Sequence, residues 1–146
     1  MSSTPPLGSL YQALILDHYR RPRNRGELAD ANGMAHVHNP TCGDEIILEL
    51  RVDDGRIEDV RFRGEGCSIS QASASMMTQL LRGRTATEVS GLADEFRMML
   101  RGGGTPPREL GDLRALAGVS KFPARVKCAL LGWEALANAL ANADSA

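Results

Sequence analysis

The pattern that most limits this chain's fold is a run of alternating hydrophobicity near its middle. Ile46, Leu48, Leu50 and Val52 are apolar with Glu49 and Arg51 between them, Asp54-Gly55 follows, and an apolar-rich stretch resumes from Ile57 to Phe62. Successive side chains on a strand point to opposite faces, so this spacing predicts a half-buried strand, and Asp-Gly suits the turn of a hairpin. One face of that hairpin needs a cover. Ala35 and Val37 alternate with His36 and His38 and predict a further short strand. It runs into Asn39-Pro40-Thr41-Cys42-Gly43-Asp44, which puts Cys42 on a loop. The hairpin itself leads into Gly64-Glu65-Gly66-Cys67, a second tight loop.

Helical spacing supplies the cover. Ser9 and Gln12 have the capping-box interval, and Leu10, Ala13 and Leu14 predict a helix over 10–19, stopped at Arg21-Pro22. Ser68 and Gln71 repeat that interval before Ile69, Ala72, Met76 and Leu80, with Gly83 placed to end the helix and Cys67 at its N-terminal edge. A third helix starts at Thr85 or Thr87, carries Val89, Leu92, Phe96 and Met99, and stops at Gly102-Gly103-Gly104 before Thr105-Pro106-Pro107. The spacing over 110–119 is helical but interrupted by Gly111 and Gly118. After Phe122-Pro123, the residues Val126, Ala129, Leu130, Trp133, Leu136, Ala137 and Leu140 form the clearest 3.6-residue stripe, with Cys128 in that helix's first turn. The expected fold is α+β: a small antiparallel three-stranded sheet packed with helices, one domain over 10–142, and loose ends at 1–9 and 143–146.

Composition agrees with one ordinary globular domain. The chain has 146 residues, 42% hydrophobic and 24% charged, enough to form a core without disulfide staples. Seventeen basic and eighteen acidic residues are dispersed to a net charge of -1. No strong field therefore favours nucleic acid or an anionic membrane. The one basic cluster, Arg20-Arg21-Pro22-Arg23-Asn24-Arg25, reads as a solvated turn or a docking patch for an acidic partner. Neither a leader pattern nor a membrane-spanning apolar stretch occurs, so a cytoplasmic location is expected.

That location bears on the three cysteines, an odd number for a disulfide framework and thiols in a reducing compartment. Each falls at the predicted end of an element. A helix N-terminus favours thiolate, the form that binds metal or attacks, which bears most on Cys67 and Cys128. Zn²⁺ takes four ligands, so three thiolates leave one position, and Asp44, across Gly43 from Cys42, is the candidate for it. Such a site is anionic and calls for nearby cations; Arg125 and Lys127 flank Cys128. Each cysteine taken singly is better explained as core. His18, His36 and His38 read as surface or hydrogen-bonded residues rather than ligands.

Four segments carry a resemblance: Leu10-Tyr11 to Ile15-Leu16-Asp17-His18-Tyr19-Arg20-Arg21-Pro22-Arg23-Asn24, Asn39-Pro40-Thr41-Cys42-Gly43-Asp44, Gly64-Glu65-Gly66-Cys67-Ser68-Ile69-Ser70, and Arg125-Val126-Lys127-Cys128. Together they resemble the IscU/SufU (IscU/NifU-N-like) family of iron–sulfur cluster assembly proteins, which implies a SufE/IscU-like fold. The resemblance implies that Cys42, Asp44, Cys67 and Cys128 meet at one metal site. In the IscU branch a histidine precedes the third cysteine, where this chain has Lys127, a poor ligand while protonated. The stretch between Cys67 and Cys128 is also longer, with an insertion at about 102–113. Both departures resemble the SufU branch.

That branch implies Zn²⁺, a SufS-like pyridoxal-phosphate cysteine desulfurase as partner, and sulfurtransferase-type acceptance of persulfide sulfur on Cys42. A partner histidine would replace Cys42 on the metal while it reacts. The alternative implied is a scaffold holding iron or a nascent iron–sulfur cluster for downstream assembly proteins. A metal-free thiol redox protein is a third reading.

Overall fold

The structure is a computed structural model that describes residues 7–41, 43–102 and 105–143. Cys42, Gly103 and Gly104 lie outside the described residues, as do 1–6 and 144–146, where loose ends were expected. Three antiparallel strands, β1 (Gly33–Asn39), β2 (Asp44–Asp53) and β3 (Arg56–Glu65), lie in the order β1-β2-β3. The predicted hairpin is β2–β3. Ile46, Leu48, Leu50 and Val52 turn one way with Ile57, Val60 and Phe62 into the core. Asp54 and Gly55 both take positive φ, 54° and 76°, as a two-residue hairpin turn of the mirror-image class requires.

Among the described residues, four helices and one tighter segment follow the sequence pattern with some shifts. Helix α1 (Leu7–Arg20) begins before Ser9, so Ser9 is not its cap and residues 7–9 form its first turn. Helix α2 is Ser68–Thr78, and its cap position is Cys67, with no side-chain cap bond. The Ser68–Gln71 spacing is therefore coincidental. Helix α3 (Ala86–Leu100) carries a full capping box, in which Thr85 accepts from the Glu88 N–H and Glu88 from the Thr85 N–H. Arg108–Lys121 forms a 3-10 segment, broken at Gly111, where φ is 55°. Helix α4 is Pro123–Ala141. Among the described residues no helix is long and apolar enough to cross a membrane.

Helix α2 is the central element, buried without interruption from Gln71 to Thr78. Its small residues admit close neighbours. A Cβ on Gly132 of α4 would lie 3.2 Å from the Ala74 Cβ, and Ser73 Oγ donates to the Ala129 carbonyl at 2.7 Å. Helix α4 is thereby fixed against α2 next to Cys128. On the other side α1 meets α2 through buried His18, whose Nδ1 is 2.7 Å from Ser75 Oγ. Its Nε2 is 2.8 Å from Asp112 of the 3-10 segment. His18 is thus a hydrogen-bonded core residue.

Candidate metal centre

Three chain turns converge at one end of the sheet. Asp44 is the first residue of β2, paired with Asn39 of β1 across the loop that carries Cys42. Asn39 shapes that loop, accepting the Thr41 N–H through Oδ1 at 3.1 Å and the Gly43 N–H through its carbonyl at 2.8 Å. Gly43 takes φ 72°, a left-handed angle that a Cβ disfavours. Cys67 follows β3 at the cap of α2, and Cys128 lies in α4 beside Ala129.

The Asp44 carboxylate is fully buried. Its Oδ1 accepts the Cys67 N–H at 2.7 Å, so α2's first exposed donor fixes the carboxylate, and Oδ2 stands 3.6 Å from Cys67 Sγ. Gly66 makes this possible. With φ 150°, its missing Cβ would come within 2.2 Å of Asp44 Oδ1. Donor atoms of Asp44, Cys67 and Cys128 all lie within 4.8 Å of one another.

Cys128 is fully buried, and it falls in the second turn of α4 because the helix starts at Pro123. The expectation of a first-turn position is corrected. Helix-end polarity fades beyond the first turn, so Cys128 owes its place to the Ser73–Ala129 and Ala74–Gly132 contacts. The sequence reading passed over Ser73 and Gly132. The signal for them is the unbroken small-residue run Ala72-Ser73-Ala74-Ser75, which allows helices to approach closely.

The donor set suits a cation. Among the described residues no cationic side chain pairs with Asp44, and a buried carboxylate without a counter-charge is costly. A bound cation removes that cost. In a tetrahedron with Zn–S near 2.3 Å and Zn–O near 2.1 Å, sulfur and oxygen stand about 3.6 Å apart, matching the Cys67–Asp44 separation. The described trio leaves one position of four, and Cys42, two residues before Asp44, is the remaining candidate. Arg125 and Lys127 are exposed on α4, and Lys127 lines a groove with His38, Asn39 and Pro40.

The profile of the NifU-like N terminal domain matches residues 10–144. The chain is 46% identical over 145 residues to the zinc-dependent sulfurtransferase SufU of Bacillus subtilis, covering 99% of this chain and 98% of that one. It is 45% identical over 141 residues to the iron–sulfur cluster assembly scaffold protein IscU of Streptococcus pyogenes, covering 96% and 88%. The crystal structure of the N-terminal part of a nitrogen-fixing NifU-like protein from Brucella abortus superposes with a TM-score of 0.84. That match has 28% identity and covers 93% of this chain and 95% of that one.

Proposed function

The chain belongs to the NifU-like N-terminal domain family, and on that premise we propose that it is a zinc-dependent sulfur acceptor in iron–sulfur cluster assembly. Cys42, Asp44, Cys67 and Cys128 would hold Zn²⁺. The observation that carries this reading is the buried Asp44 carboxylate, close to two sulfur atoms and without a cationic partner among the described residues. The zinc-dependent sulfurtransferase among its relatives supports it.

Zinc has no redox chemistry, so when bound it stabilises thiolates without oxidising them. The chain's own residues do the rest. Gly66 and the Cys67 N–H orient Asp44, while Cys67 and Cys128, at the α2–α4 crossing, keep the site in one place. Arg125 and Lys127 supply positive charge around an anionic centre. The Cys42 thiolate attacks the outer sulfur of a persulfide on a pyridoxal-phosphate cysteine desulfurase. A new S–S bond forms on Cys42, the donor's S–S bond breaks, and the donor cysteine leaves as thiolate. Oxidation state is exchanged between the two cysteines with no external oxidant. This chemistry needs reduced thiols, which the cytoplasm provides.

Cys42→Ala is expected to retain the fold and abolish stimulation of desulfurase turnover; unchanged stimulation would contradict the assignment. The IscU relative supports a second reading, a scaffold for a nascent cluster. Metal analysis separates the two: the sulfur acceptor purifies colourless with zinc, the scaffold brown with iron and sulfide.

A further inference from the structure

The strand that leads to the Cys42 loop has an open backbone edge. Met34 turns its N–H and C=O away from β2, and the Asn142 side chain takes both, at 3.1 and 2.8 Å. In an antiparallel ladder that orientation recurs at every second residue. Strand β1 continues in register with β2 to Asn39 without a shift, so His36 and His38 turn their main-chain N–H and C=O outward as well. Among the described residues nothing bonds to these four groups. Asn142 thus closes one end of the edge and leaves open the end nearer the metal centre.

A groove of about 320 Å³ lies at that open end. Leu130 and Leu131 give it an apolar floor. Lys127, next to Cys128, and Glu134, two turns along α4, stand exposed at its sides, with His38 and Pro40 on the strand side.

We propose that the open edge of β1 and this groove dock an extended segment of the sulfur-donating protein as an added strand. This rests on the sulfur-acceptor reading above. An edge of alternating N–H and C=O groups is satisfied by another extended backbone, and an adjacent groove reads alternate side chains of the segment. The charges specify which segment fits: an acidic side chain against Lys127, an apolar one over Leu130, and a basic one toward Glu134. The edge ends at Pro40, two residues before Cys42, so a docked segment leads the donor's surface to the acceptor cysteine.

Hydrogen exchange read residue by residue tests this on the zinc-loaded full chain, with and without a pyridoxal-phosphate cysteine desulfurase. Complex formation is expected to slow exchange of the His36 and His38 amides at least tenfold. Ala35 and Val37, already bonded to β2, should not change. Unaltered exchange at His36 and His38 in a complex that still accelerates the desulfurase would overturn the docking and leave the sulfur-acceptor reading standing. A desulfurase that the wild-type chain neither binds nor accelerates would remove both. Slowing that appears without desulfurase and grows with protein concentration would give the edge to a second copy, overturning the proposal.

Two variants provide an independent check. His38→Pro deletes one edge donor, and Glu134→Arg reverses a charge on an exposed helical position; each is expected to weaken desulfurase binding about tenfold with zinc content unchanged. Wild-type affinity in both would contradict the docking.

Discussion

At the scale of single residues, the site depends on a glycine as much as on its ligands. A Cβ at Gly66 would lie 2.2 Å from Asp44 Oδ1 and 2.9 Å from Asp44 Cα, so Gly66→Ala must move the carboxylate. The Cys67 N–H that orients it would then lose its acceptor. Outer contacts of this kind are worth about 10- to 100-fold in metal affinity. Gly66→Ala is expected to lower zinc affinity within that range and to alter the visible spectrum of the cobalt-substituted protein, as loss of an oxygen ligand would. Wild-type affinity and spectrum would exclude Asp44 as a ligand. Cys67 was legible in the sequence because the glycine-rich turn after the hairpin leads straight into α2, and the structure places Cys67 at that helix's cap. The close fit of Gly66 to Asp44 was not, because it joins residues from two different strand ends.

Among the elements, α3 has the most explicit start signal. Thr85→Ala removes the cap that accepts the Glu88 N–H and is expected to cost about 1 kcal/mol, lowering the melting temperature by about 2–4 °C. The Thr85 backbone N–H, bonded to Glu88, holds that carboxylate below its ordinary pKa, helped by the Thr85 side chain and by Arg56 and Arg84. The folded state therefore favours ionised Glu88. Its contribution is complete above the unfolded glutamate value of about 4.3 and is lost as pH falls through the lower folded value. Melting curves should show the Thr85→Ala deficit narrowing in that acidic window, and a deficit independent of pH would contradict the coupling. Ser9 and Ser68 have the same three-residue interval to a glutamine, yet neither caps a helix. Spacing alone leaves the start undecided, since the chain's exit from the preceding turn decides which residue is the cap. The same effect shifted α4's start and placed Cys128 one turn deeper than its sequence suggested.

For the molecule as a whole, the three-strand sheet and the final helix were readable from periodicity, whereas the segment from 105 to 121 was not. Its apolar residues are spaced for a helix, but Gly111 breaks it, and the chain settles as a tighter 3-10 segment. That segment is nevertheless core. Leu110, Leu113 and Leu116 are fully buried, and Asp112 holds the imidazole of His18. The 3-10 segment therefore joins α1 to α2 and α3 rather than hanging from the surface. Leu113→Ala is expected to destabilise the protein by about 2–5 kcal/mol in urea denaturation; a loss below about 0.5 kcal/mol, the range of ordinary surface changes, would mean the segment is dispensable to the core.

The central claim, that sulfur arrives on Cys42 of a zinc-held site, meets its most direct test in mass spectrometry. The zinc-loaded protein is incubated with a cysteine desulfurase and L-cysteine, then digested without reductant. The account predicts one added sulfur atom on the peptide carrying Cys42, absent from those carrying Cys67 and Cys128 and removed by reductant. An unmodified Cys42 peptide, alongside desulfurase turnover that the protein still accelerates, would contradict it.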